Sequence, residues 1–194
     1  MTGAGLVAHI VVGLPLWLTV PVGLLGVGTL FTAIGAFTDL DMPRALLPGV
    51  VSGAVAVAAY DAVRLLVVGV FDLSVEPFEA WRFFGQGLIG AGAPDTAHWV
   101  AGAAFHVTNG LCFAVAYSLW FGRRGVVAGI AWGLFLEAFM LGLYPGWLGI
   151  SAYLPFLAVS LTGHVAYGAT LGLLAPRLLD RWPVMRARAD REAE

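Results

Sequence analysis

Lysine is absent from this chain: all ten basic residues are arginine, they face twelve acidic residues, and the formal net charge is −2. So even a balance offers no basic surface for a phosphate backbone, and no nucleic-acid partner is expected. Cysteine occurs once, at Cys112 inside an apolar run, which excludes an intramolecular disulfide or a thiolate metal cluster. We read it as a small packing residue. Charge of either sign is scarce, with 11% of residues charged, 60% hydrophobic and a mean hydropathy of +0.88. An ordinary soluble domain is roughly 25% charged and under half apolar, so a soluble globular protein is excluded. At about 20 apolar residues per crossing, the chain holds about four to six membrane spans.

The charged residues punctuate the chain and define those spans. Residues 1–38 carry no Asp, Glu, Lys or Arg, too long an uncharged run for a signal peptide and without its basic leading segment. It reads as a retained first span over 5–36, kinked or broken at Pro15 and Pro21. Further spans are expected over 45–71, 97–121, 125–144 and 151–175, separated by segments rich in turn residues. The segment 76–90 places Phe78, Trp81, Phe84 and Leu88 on one helical face and Glu79, Arg82 and Gln86 on the other, which predicts a short outer interfacial helix. Residues 177–194 mix arginines with acids and read as a frayed cytoplasmic tail, drawn to anionic lipid. The expected fold is therefore an all-α, polytopic transmembrane helical bundle of about five spans with one interfacial helix.

Arginine placement orients it. Arg44, Arg123, Arg124 and the five arginines of the tail fall on one side, and Arg82 alone on the other. The positive-inside rule then puts the N-terminus outside and the C-terminus in the cytoplasm of a bacterial inner membrane. Trp81, Trp99, Trp147 and Tyr153 would form an outer aromatic belt.

Ionisable side chains within hydrocarbon are costly, and they usually face a bundle interior or a cavity. Those singled out within the expected spans are Asp61, Arg64, His106, Glu137 and His164. Each except Arg64 continues a stripe of small residues at four-residue spacing: Gly49, Gly53 and Val57 before Asp61; Gly125, Gly129 and Gly133 before Glu137; Gly110 and Ala114 after His106; Gly168 and Gly172 after His164. Residues four apart share a helix face, and small residues so spaced let helix backbones approach closely. All five lie in one outer-half layer, roughly 10–18 Å deep at 1.5 Å per residue. Asp61 and Arg64 can pair at i,i+3, whereas Glu137 needs a partner from another helix. Asn109 adds a donor and acceptor one turn from His106. A five-residue pattern recurs at His106-Val-Thr-Asn-Gly110 and His164-Val-Ala-Tyr-Gly168, with a looser copy at His9–Gly13.

Familiar intramembrane catalysts are missing. The chain has no HExxH zinc motif and no Gly-Lys-Ser/Thr phosphate loop, and Ser52 lies too far from either histidine for a nucleophile and base. Three readings remain. The first is proton-linked or small-solute transport through the polar cluster, in a homo-oligomer, with the broken first span as the moving part. The second is a non-catalytic accessory subunit of a larger membrane complex, with the cluster fixing helix register. The third is bis-histidine haem or metal binding by His106 and His164. Asp61 and Arg64, the segment Phe78-Glu-Ala-Trp-Arg-Phe-Phe-Gly85, FHVTNGLCFAVAY and GHVAYGATLGLL together resemble small bacterial inner-membrane families of unknown function, YagU-like proteins among them. That resemblance covers about residues 45–175 and implies a membrane helical bundle with a link to acid resistance. It brings no catalytic residues.

Overall fold

A computed structural model describes residues 2–37, 42–148 and 154–192. These residues form seven helices and no strand: α1 (Thr2–Val12), α2 (Leu16–Phe37), α3 (Met42–Phe71), α4 (Glu79–Ile89), α5 (Asp95–Trp120), α6 (Gly125–Leu148) and α7 (Leu154–Glu192). Four of them are long and apolar enough to cross a bilayer, over Ala45–Phe71, Asp95–Trp120, Gly125–Leu143 and Leu154–Arg181.

The expected single span over 5–36 is two helices. Gly13 takes a left-handed φ of +75°, a conformation that ends helices because it costs glycine little. Pro15 then opens α2, its carbonyl accepting from Leu18 N at 3.1 Å and Thr19 N at 3.0 Å. Pro21 falls inside α2 and does not end it. The two helices fold against each other as a hairpin, α1 being half the length of a crossing. A β-carbon at Gly5 would stand 2.9 Å from the Thr19 carbonyl oxygen. Leu6, Leu16 and Val20 of this hairpin bury together with Phe84 and Phe105.

Helix α4 has the expected faces, with Phe84 buried and Glu79 and Arg82 exposed. Yet it does not merely lie on a surface. Its backbone is pressed onto α5, since a β-carbon at Gly85 would collide with the His98 carbonyl and one at Gly102 with the Trp81 carbonyl. His98, buried, closes the turn between the two helices through Nε2 and the Gly90 carbonyl oxygen at 3.0 Å. The tail also departs from expectation: α7 runs on to Glu192, because its Arg- and Ala-rich sequence favours helix over fraying. Trp147 and Tyr153, two of the expected belt aromatics, have side chains outside the described residues.

The bundle is a row. Helix α3 packs between α5 and α7, and α7 in turn packs on α6. At the row's open edge α5 and α6 meet chiefly through aromatic rings, Phe113 and Tyr117 each lying 6.4 Å from Trp132 between centroids. Helix α1 lies over that gap, touching both α5 and α6. Gly3 makes the approach feasible, since a β-carbon there would stand 2.6 Å from the Phe113 ring.

Candidate functional site

The small-residue stripes are helix contacts, and their pairing sets the site. Between the antiparallel helices α6 and α7, Gly125 meets Gly172, Gly129 meets Gly168, and Gly133 meets the His164 backbone. Continuing that register one turn brings Glu137 opposite Ser160. The Ser160 hydroxyl donates to Glu137 Oε2 at 2.9 Å, and His164 Nδ1 stands 2.8 Å from the same oxygen. Between α3 and α5 the ladder repeats: Gly49 meets Ser118, Gly53 meets Ala114, and Val57 meets Gly110. One turn further, His106 Nε2 lies 3.1 Å from both oxygens of Asp61. Each ladder therefore terminates in a carboxylate–histidine pair, the carboxylate on the earlier helix and the histidine of an HVxxG segment on the later one.

Tyr60 joins the two pairs. Its ring centroid lies 5.6 Å from that of His106 and 4.9 Å, edge-on, from that of His164. Arg64 caps the arrangement with its guanidinium carbon 4.9 Å from the Tyr60 centroid and 5.3 Å from that of Phe78. It reaches Asp61 at 3.7 Å, the expected i,i+3 partner. The whole constellation adjoins a cavity of about 140 Å³, whose polar lining residues include Tyr60, Arg64, Trp81, His106, Asn109 and His164. Apolar residues, among them Leu6, Val7, Phe113, Leu136 and Phe139, make up most of the rest of the lining.

Proton positions follow from the partners. His164 Nδ1 has two acceptors, Glu137 Oε2 and the Ser160 carbonyl oxygen at 3.1 Å, so that nitrogen carries a hydrogen. His106 Nε2 faces a carboxylate and carries one likewise. The second nitrogen of each neutral ring, Nδ1 of His106 and Nε2 of His164, is then an acceptor. Glu137 is 2% exposed and Asp61 21%. Four polar atoms here are buried without a well-aligned hydrogen-bond partner: Asp61 Oδ1, Glu137 Oε1, Arg64 Nε and Trp81 Nε1.

All six residues singled out in the sequence lie in or beside this constellation. The cavity is lined by the two histidines and not by Glu137, which bonds His164. Trp81, one of the expected belt aromatics, lines the cavity as well. His9, in the looser copy of the pattern, has its Nδ1 2.8 Å from the Leu14 carbonyl oxygen and braces the α1–α2 turn. Sequence reasoning missed Tyr60 and Ser160. Ser160 had a signal, lying one turn before His164 on the same stripe; Tyr60, next to Asp61, lies on no stripe.

A porphyrin between the histidines is disfavoured by geometry, because the Tyr60 ring occupies the space that an axially ligated iron would need. Among the described residues no group of three or more His, Cys, Asp or Glu side chains is placed to hold a metal ion. Ser52 is buried with its hydroxyl donating to the Pro48 carbonyl at 2.7 Å, a helix-internal bond rather than a nucleophile's contact. No family model, curated protein or solved structure matches this chain.

Proposed function

We propose that this protein is a multi-pass protein of a bacterial plasma membrane that moves protons together with a small solute through the cluster around Tyr60. One observation carries the reading: two carboxylate–histidine pairs, on separate helix pairs, flank one tyrosine ring and share one cavity. A packing network needs neither the duplication nor the cavity. Each histidine gives one N–H to its carboxylate and keeps its second ring nitrogen as an acceptor, the arrangement a proton relay needs. The arginine bias of the loops supports an outer-half site with the C-terminus in the cytoplasm. Helix α1, which covers the gap between α5 and α6 and has few other partners in the bundle, is the element whose displacement would open the cavity.

The test is proton movement in proteoliposomes holding an internal pH-sensitive dye. An imposed pH gradient should dissipate at least tenfold faster than in empty vesicles, and Glu137→Gln or Asp61→Asn should remove most of the increment. A gradient that holds in the presence of folded wild-type protein, with or without added solute, sinks the transport reading. The cluster would then be a register-fixing network.

A further inference from the structure

The cavity beside Tyr60 presents hydrogen-bond acceptors that the protein itself leaves unused. Every hydrogen bond of the two histidine rings goes through one nitrogen: Nε2 of His106 to Asp61, and Nδ1 of His164 to Glu137 and the Ser160 carbonyl oxygen. The other two nitrogens, Nδ1 of His106 and Nε2 of His164, have no partner among the described residues. Arg64 Nε and Trp81 Nε1 are closed over completely by protein, but these two histidine nitrogens are not. Both rings line the cavity. With the first nitrogen of each ring carrying the hydrogen, the reachable one is an acceptor. The His106 ring is also held in place, with Trp81 and Tyr60 lying 5.3 and 5.6 Å from it between centroids and Asp61 bonding its far nitrogen. The group that complements this lining is therefore a donor.

Size, walls and charge narrow the donor. The volume of about 140 Å³ is close to the roughly 150 Å³ of an engineered protein cavity that holds benzene, so one six-membered ring fits. The walls include Trp81, Phe84, Phe113 and Phe139, whose faces and edges pack well against another aromatic ring. An added net charge in so apolar a setting is costly, so the occupant is neutral. A hydroxyl is the simplest donor that such a ring carries, which makes the occupant a phenol. We propose that the cavity binds a small neutral phenol, its hydroxyl donating to Nδ1 of His106 or Nε2 of His164 and its ring lying among the aromatic walls. Leu6 and Val7 of α1 line the same cavity, so the helix that covers the gap between α5 and α6 covers the ligand too. No covalent bond changes. The assignment names a solute class for the proton-linked reading and rests on the same cluster, but binding and transport fail separately.

Phenol is the probe, and the sample is the full chain in lipid nanodiscs with ¹⁵N-labelled histidine, empty nanodiscs correcting for phenol taken up by lipid. Phenol should move the unprotonated ring nitrogen of His106 or His164 saturably. His9 and His98, neither of which lines the cavity, should stay unmoved and serve as controls in the same spectrum. Anisole has the same ring but an ether oxygen that cannot donate, and it should need at least tenfold higher concentration to displace phenol. Val7→Trp, on α1 and outside both carboxylate–histidine pairs, should fill the cavity and abolish the shifts. The anisole comparison is made on the wild type and decides the hydroxyl's role even where that variant does not fold. Phenol that moves neither His106 nor His164 beyond the two controls, anisole that displaces it at equal concentration, or shifts that persist in folded Val7→Trp each overturn the proposal. If vesicles pass protons while phenol moves neither histidine, only the ligand assignment fails; if phenol binds as described and no proton crosses the membrane, only transport fails.

Discussion

The two helix pairs repeat one plan with different closeness. Between α6 and α7, glycine faces glycine and a β-carbon at Gly129 or Gly168 would overlap the opposite backbone. Between α3 and α5, Gly49 comes close to the Val115 backbone, but nearer the site glycine faces a side chain: Ala114 opposite Gly53 and Val57 opposite Gly110. The consequence appears one turn further on, where Glu137 is 2% exposed and Asp61 21%. Backbone approach thus sets how dry each carboxylate is. The close pair encloses its carboxylate fully, and the looser pair leaves room for Arg64 to reach Asp61 at 3.7 Å.

Substitutions that force the ladders apart should show the difference most strongly. Gly168→Leu drives a side chain into the Gly129 carbonyl and should cost about 3 kcal/mol or more, whereas at Gly53 the opposing methyl of Ala114 can move and Gly53→Ala should cost about 1–2 kcal/mol. Thermal or denaturant unfolding in nanodiscs measures both, and equal losses would break the contrast. Next in size are the carboxylates. Glu137→Ala strips His164 of its hydrogen-bond partner in a dry site and should cost about 3 kcal/mol, while Asp61→Ala, at the less deeply buried carboxylate, should cost roughly half of that. A smaller loss at Glu137 than at Asp61 would reverse the contrast between the two pairs. Tyr60→Leu removes the ring between the histidines and should cost about 1 kcal/mol in stability; its sharper effect should be on proton movement, which the rate in proteoliposomes reads. The smallest effect belongs to Arg123→Ala, whose partner Asp180 lies 3.3 Å away with both side chains more than two-thirds exposed. That pair should contribute less than about 1 kcal/mol.

Much of the bundle and of its polar layer is legible in the amino-acid sequence because the bilayer imposes simple rules. Apolar runs of sufficient length give the helices of four spans, and the four-residue stripes that include Asp61, Glu137, His106 and His164 are the helix contacts themselves. The ion pair of Asp61 with Arg64 follows from i,i+3 spacing alone. What escapes the sequence is set by tertiary register. Which carboxylate meets which histidine depends on how far one ladder slides along the other, and no single-helix pattern records that. Tyr60 is invisible there because its role comes from two helices that approach it from opposite sides. The first 38 residues mislead for a local reason: Gly13 and Pro15 together reverse the chain, while hydropathy continues unbroken through the turn. His9, which shares the HxxxG spacing, shows the limit of so short a pattern; it braces that turn instead.

The central claim is that the two carboxylate–histidine pairs form one linked cluster across Tyr60. Nitrogen NMR of ¹⁵N-histidine-labelled protein in nanodiscs, compared between the wild type and Asp61→Asn, tests it most directly. The account predicts that removing the Asp61 charge moves the ring-nitrogen resonances of His164, on the far side of Tyr60, as well as those of His106. His164 resonances unmoved by Asp61→Asn, with those of His106 alone shifted, would show two independent pairs and contradict it.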